Sequence, residues 1–284
     1  MTPRPHLLDV LAERVLVLDG ATGTGLQGMD LTLDDFGGQE GCNEILCVTR
    51  PDAVEHLHRS YLETGVDGIL TNSFGGAGHV LAEYDLRPRA REINRAAAEI
   101  ARRMADGYAT ADKPRFVIGS MGPGTKLPSL GQASFDDLHD AYHEQALGLL
   151  EGDVDALLVE TVYDLLQGKA AIIAAKDAMA ELGRTLPLLC TITIETTGQM
   201  LVGSEIGAAL TTLEPLGLDA LGLNCGTGPD MMHEHLRYLA QHSALPIMVQ
   251  PNAGLPRVVD GEAVYGLAAE QLADANETFV RDYG

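Results

Sequence analysis

A chain of 284 residues, 45% of them apolar, carries enough hydrophobic material for a large core, which excludes global disorder. Its 41 acidic residues against 19 basic ones give a formal charge of −22, a field that repels nucleic-acid phosphates and anionic lipid surfaces as partners. No apolar stretch is long enough for a signal peptide or a spanning helix, and four cysteines in so long a chain form no disulfide framework, so a reducing cytoplasm is expected.

Short aliphatic and β-branched runs alternate with longer periodic stretches from one end to the other. The first run, Val15–Leu18, ends on Asp19 and opens into the glycine-rich segment Gly20–Gly25. A helical stretch at Asp52–Glu63 precedes the second run, Gly68–Thr71, and another at Arg89–Ala105 precedes the third, Phe116–Gly119. In the latter helix Ile93, Ala97, Ile100, Ala101 and Met104 follow the three-and-four spacing of one buried side. Phe135–Glu151, capped by Ser134, leads to the run Ala156–Val159, and Leu165–Leu182 leads to Leu188–Ile194. Glu205–Leu216 precedes Ala220–Leu223. Asp230–His242, with Pro229 suited to a first helical position, precedes Ile247–Val249, and Ala268–Asp282 closes the series.

Continuous apolar runs bounded by Gly, Asn or Asp suit strands buried on both faces. Seven strand-then-helix units in unbroken order imply parallel strands with right-handed crossovers, in either a doubly wound sheet or a (β/α) barrel. The barrel is favoured because polar residues follow nearly every run: Asp19, Asn72, Ser120, Glu160, Glu195, Asn224 and Asn252. A barrel turns all of these to one mouth, whereas an open sheet needs decorated ends only near its switch point. No linker or repeat divides the chain, so residues 1–284 are read as one domain.

Several motifs invite chemistry and have plainer readings beside it. The glycines of Leu18–Gly25 are wrongly spaced for a dinucleotide fingerprint. Gly119–Lys126 nearly imitates a phosphate loop, but Leu127 follows Lys126 where a hydroxyl is needed, so tight turns explain both better. Asp19 and Glu160 each close an aliphatic run. Two carboxylates at one mouth hold an ammonium group or serve as acid and base, unless each merely accepts backbone N–H bonds in its own loop. Cys225 ends its run too, but a lone cysteine is ordinarily a small buried hydrophobe, the reading that also covers Cys190. Cys42 and Cys47 flank a helical start in a long loop at no zinc-knuckle spacing, and His233 and His235, two apart on a helix, point in different directions, toward solvent rather than a metal.

Taken together, Leu18–Thr24, Thr71-Asn72-Ser73-Phe74-Gly75, Glu92-Ile93-Asn94, Gly119-Ser120-Met121-Gly122-Pro123 and Glu160-Thr161 are similar, in this order, to motifs of the homocysteine methyltransferase family. Gly222-Leu223-Asn224-Cys225 with Gly228-Pro229-Asp230, and then Pro251–Pro256, resembles its cobalamin-dependent methionine synthase branch, and the matches run from Val15 to Gly284. The resemblance implies a (β/α)8 TIM barrel that holds zinc through three cysteine thiolates. Cys225 answers to one of them. The other two stand in a Gly-Gly-Cys-Cys-Gly motif on the eighth strand, which this sequence lacks, so the eighth unit is expected beyond Gly284.

By the same resemblance Asp19 and Glu160 grip the amino group of homocysteine and backbone N–H groups near Gly20 take its carboxylate. Asn252 either completes the zinc shell or orients its loop. The zinc-activated thiolate accepts a methyl group from methylcobalamin, ultimately from methyltetrahydrofolate, to give methionine. The Asp-x-His-x-x-Gly signature of a cobalamin module is not met, since Asp137-Leu138-His139 has Tyr142 where Gly is required. Cobalamin-binding and folate-binding domains are therefore expected elsewhere on a longer protein. The alternatives are a cobalamin-independent enzyme using betaine or S-methylmethionine, and a non-catalytic barrel that binds an amino acid.

Overall fold

The computed structural model describes residues 4–255, 257–259 and 262–283. Pro256 and Gly284, the final residues of two motif stretches, lie outside them. Six parallel strands form one sheet: β1 (Gly68–Leu70), β2 (Phe116–Met121), β3 (Ala156–Val162), β4 (Leu188–Ile192), β5 (Ala220–Asn224) and β6 (Ile247–Gln250). They lie side by side in chain order. That order decides between the two architectures open to the sequence, because a doubly wound sheet reverses its order at a switch point and this one never does.

Helices of eight or more residues precede, separate and follow the strands. They are α1 (Pro51–Thr64), α2 (Ala90–Tyr108), α3 (Phe135–Glu151), α4 (Leu165–Glu181), α5 (Ile206–Leu213), α6 (Pro229–His242) and α7 (Ala269–Tyr283). Local chemistry sets several of their ends. Ser134 and Asp137 form a reciprocal capping box on α3, the Asp164 side chain accepts the N–H of Leu166 at the start of α4, and Pro229 occupies the first turn of α6. Gly65, at φ 97°, ends α1 in the left-handed conformation that favours glycine.

The strands divide their side chains by simple alternation. Ile69, Val117, Leu157, Val159, Cys190, Leu221 and Leu223 face outward into the main core, shared with α2, α3, α4, α5 and α6. Leu70, Phe116, Ile118, Ala156, Leu158, Leu189 and Ala220 face the other way into a second cluster, closed by Leu7 from the short helix Leu7–Leu11. With the helices on one side, a sheet of this order has only its own inner face to bury.

The run Val15–Leu18 is not a strand. It meets β1 through a single bridge between Leu18 and Gly68, while Val15 and Val17 are 53% and 59% exposed. Beyond that bridge its polar groups go to Asp67, whose carboxylate accepts the Val17 N–H at 2.9 Å and whose own N–H donates to Val17 O at 2.6 Å. The sheet therefore has six strands where the sequence suggested seven. A small antiparallel pair, β7 (Arg257–Val259) and β8 (Glu262–Val264), follows β6 outside the runs read from the sequence. His233 also departs from the solvent reading, since its ring packs edge-on against Phe279 and Tyr283 and bonds to the Tyr283 hydroxyl.

Candidate functional site

Alternation along the strands builds the site. The inward series Phe116, Ile118 continues to Ser120, Ala156, Leu158 continues to Glu160, and Ala220 continues through Gly222 to Asn224. The apolar inner wall thus gives way to polar groups at the carboxyl ends of the strands. A cavity of about 1690 Å³ runs along this inner face from Leu7 and Pro246 to these ends, where Asp19, Gly20, Glu160, Cys225 and Asn252 line it together with Asn72, Ser120 and Asn224. Glu195 stays apart from it, in a turn where its N–H donates to Gln199 O.

Asp19 and Glu160 are both buried. The Asp19 oxygens accept the Leu70 N–H at 3.0 and 3.1 Å, so the plain backbone-acceptor role is real, but the group also faces the cavity. Burial drives its pKa well above the carboxylate range, and the nearby charge of Glu160 adds to the rise. Glu160 is raised to about 7 by burial, against a hydrogen bond donated by the Ser120 hydroxyl. Two buried acids of which one feels the charge of the other do not both ionise easily without a cation nearby.

A consequence for stability can be measured. A carboxyl whose folded pKa exceeds its unfolded value holds more protons folded than unfolded, so its contribution falls as pH rises through that window. For Glu160 the window runs from about 4.3 for a free glutamate to about 7 in the fold. Glu160→Gln removes the ionisation. Its melting temperature relative to the parent protein is expected to climb from about pH 4.3 to about pH 7 and level off above that, and a constant difference across that range would show that Glu160 does not titrate as described.

Cys225 follows β5 in the left-handed region, at φ 53°, and Thr161 follows Glu160 there at φ 62°. One side chain braces both. Asn224 Oδ1 accepts the Thr161 N–H at 3.0 Å, and Asn224 Nδ2 donates to Thr161 Oγ1 at 2.7 Å and approaches Cys225 Sγ at 3.4 Å. Burial raises the Cys225 pKa, with the charge of Glu160 as the next cause. The other three thiols are fully enclosed, Cys190 in the outer core, Cys42 and Cys47 around the loop that follows β1. Among the described residues no three His, Cys, Asp or Glu side chains gather so as to hold a metal ion.

No motif or spacing marks Glu44. It is buried on the same cavity wall, in the turn Asn43–Ile45, where its Oε1 accepts the Gly75 N–H at 2.7 Å. With the bond from Asn72 Nδ2 to Asn43 O at 2.8 Å, it fastens the loop after β1. Tyr61, also at the cavity, donates its hydroxyl to Ala21 O at 3.2 Å beside Gly20.

A sequence model of the homocysteine S-methyltransferase family matches residues 16–283. The methionine synthase of Mycobacterium tuberculosis (strain ATCC 25618 / H37Rv) is 54% identical over 278 residues, which is 98% of this chain and 23% of that protein. That of Mycobacterium leprae (strain TN) is 52% identical over the same shares. The chain thus spans about a quarter of the length of these curated relatives. Among solved structures, the oxidized form of the Escherichia coli homocysteine methyltransferase MmuM superposes with a TM-score of 0.75 at 21% identity, covering 98% of this chain and 92% of that one. Its metallated form gives 0.71, also at 21% identity, over 87% of each chain. At that identity the structural likeness bears on the fold.

Proposed function

Since the chain belongs to the homocysteine S-methyltransferase family, we propose that it is the part of a longer methyl-transferring protein that binds homocysteine and presents its sulfur for methylation. The observation that carries this reading is two buried carboxylates and a thiol on the wall of one cavity. Asp19 and Glu160 hold the substrate ammonium, whose positive charge offsets the cost of ionising two buried carboxylates. Backbone N–H groups around Gly20 take the substrate carboxylate, and the side chain then extends toward Cys225. Asn252 borders the same space and orients the loop after β6 or completes a metal shell.

Zinc, when bound, strips the proton from a coordinated thiol and leaves the thiolate as nucleophile. The described residues offer one thiol and no group of three donors, so by themselves they do not fit that ion. Cys225 is assigned as one zinc ligand, with two further cysteines contributed from elsewhere in the longer protein. The methyl donor is assigned to cobalamin, charged from methyltetrahydrofolate and carried by other domains of that protein, in keeping with relatives about four times as long. The six strands in chain order, with Leu18 bridged to β1, are read as most of one (β/α)8 barrel domain. Four free thiols suit a reducing cytoplasm.

The test is substrate affinity in the full-length protein. Glu160→Gln removes one charged partner from the ammonium and is expected to weaken homocysteine binding by about 2–5 kcal/mol in calorimetric titration. Bound metal should stay at the parent level. Unchanged homocysteine affinity would remove the amino-group assignment.

A further inference from the structure

Ser120 has a role that the assignments above leave open. Strand β1 stops at Leu70 while its neighbour β2 runs on to Met121, so the ladder between them ends at Ile118 and leaves the main chain of Ser120 unpaired on that side. Two hydroxyls take the place of the missing strand. The Ser120 N–H donates to Thr71 Oγ1 at 3.0 Å, and Ser73 Oγ donates to Ser120 O at 2.8 Å. That uses the single proton of Ser73, so Thr71 is the donor in the 2.5 Å contact between the two hydroxyls. Gln145 Nε2 donates to Ser73 O at 2.7 Å and completes the enclosure. All four side chains are buried.

A residue whose N–H and C=O are both fixed has a fixed Cβ direction. Strand alternation turns that of Ser120 inward, where its hydroxyl donates to Glu160 Oε1. Among the described residues Glu160 Oε2 has no hydrogen-bond donor. We propose that Ser120 is a positioning residue for the substrate amino group: it ties down Oε1 so that Oε2 is presented to the ammonium, and the Thr71–Ser73 ring holds Ser120 in place. The inference rests on the reading that homocysteine binds here, and it adds that the geometry of the acid, as well as its charge, is built by the end of β2. A free glutamate rotamer would have to be ordered by the substrate at the expense of affinity.

The experiment is steady-state kinetics on the full-length protein with Ser120→Ala, alone and combined with Glu160→Gln. Loss of one charge-assisted hydrogen bond predicts a rise of about tenfold in KM for homocysteine, with kcat within about twofold. Inhibition by 4-sulfanylbutanoate, which lacks the amino group, should be unchanged. In the Glu160→Gln background Ser120→Ala should add less than about twofold, because the two act through one contact. Thr71→Val leaves the Ser120 hydroxyl in place but loosens its backbone; it should raise KM in the same direction by less, and it carries the test if Ser120→Ala does not fold. An unchanged KM, equal losses for homocysteine and the desamino compound, or full additivity with Glu160→Gln would each overturn the positioning role alone. A parent protein that fails to bind homocysteine would overturn the functional reading and this inference with it.

Discussion

Cys225→Ala in the full-length protein is expected to lower methyl transfer to homocysteine by more than about a hundredfold and to abolish tight zinc binding. The magnitude follows from coordination: replacing groups that merely support a metal ligand costs about 10–100-fold, so removal of a ligand costs more. Position singles out this thiol. Of the four cysteines, Cys225 alone lines the cavity and is only partly enclosed. Burial, with the charge of Glu160 behind it, holds its pKa above the usual thiol value, so at neutral pH it is protonated unless a cation displaces the proton. Zinc affinity should therefore rise with pH, as protons and metal compete for the same sulfur. Metal analysis of dialysed protein and methyl transfer at saturating homocysteine read both effects. Parental zinc content together with parental turnover in Cys225→Ala would exclude this sulfur from the site.

The largest stability effect is expected from a single methyl group at Gly222. This residue belongs to the inward series of β5 and lies in register with Met248 of β6. A Cβ there would lie on the Met248 carbonyl oxygen, 2.5 Å from its carbonyl carbon and 2.8 Å from its nitrogen. These atoms belong to the backbone of a neighbouring strand and cannot rotate away as a side chain would. Gly222→Ala must separate β5 from β6 or bend one of them, directly beneath Asn224 and Cys225. Overpacking of a well-packed region costs about 1–3 kcal/mol, and a forced backbone displacement belongs at or above the top of that range. Thermal unfolding should show a drop of roughly 10 °C. Gly107→Ala, near the end of α2 with nothing within 4 Å of the added carbon, serves as the control and should not lose stability. Equal melting temperatures for Gly222→Ala and the parent would mean that the two strands are not packed this closely.

What could be read in advance divides along the range of the forces involved. Helix α3 falls where the sequence set it, Phe135–Glu151, because its start is written locally in Ser134 and Asp137. The place of Glu160 and Asn224 at the cavity was legible for a similar reason, since each stands directly at the end of its own aliphatic run. Pairing is not local. Val15–Leu18 has the composition of a strand, but how far it pairs is decided by β1, three residues long, and by the exchange of hydrogen bonds with Asp67. The ring around Ser120 was hidden by the same fact, for it exists only because β1 ends before β2 does. Glu44 sits in a loop without periodicity, and its burial comes from contact with another loop. The β7–β8 pair did leave a signal, the Asp-Gly dipeptide at 260–261, which favours a two-residue hairpin connection.

The backbone at Thr161 and Cys225 has a bearing on how such a protein can change over generations. A β-branched residue in the left-handed region is a true outlier, and each such position costs on the order of 1–3 kcal/mol. Thr161 flanks Glu160, assigned to the substrate, Cys225 is itself the sulfur assigned to the metal, and both lean on Asn224. Glycine at either position would relieve the strain and make the molecule hardier, but in place of Thr161 it would loosen the aim of Glu160, and in place of Cys225 it would delete the assigned ligand. Selection for heat tolerance and selection for turnover therefore pull these two codons in opposite directions. The outer faces of the helices, which touch neither cavity nor brace, are where a lineage or a laboratory can gain robustness without surrendering chemistry.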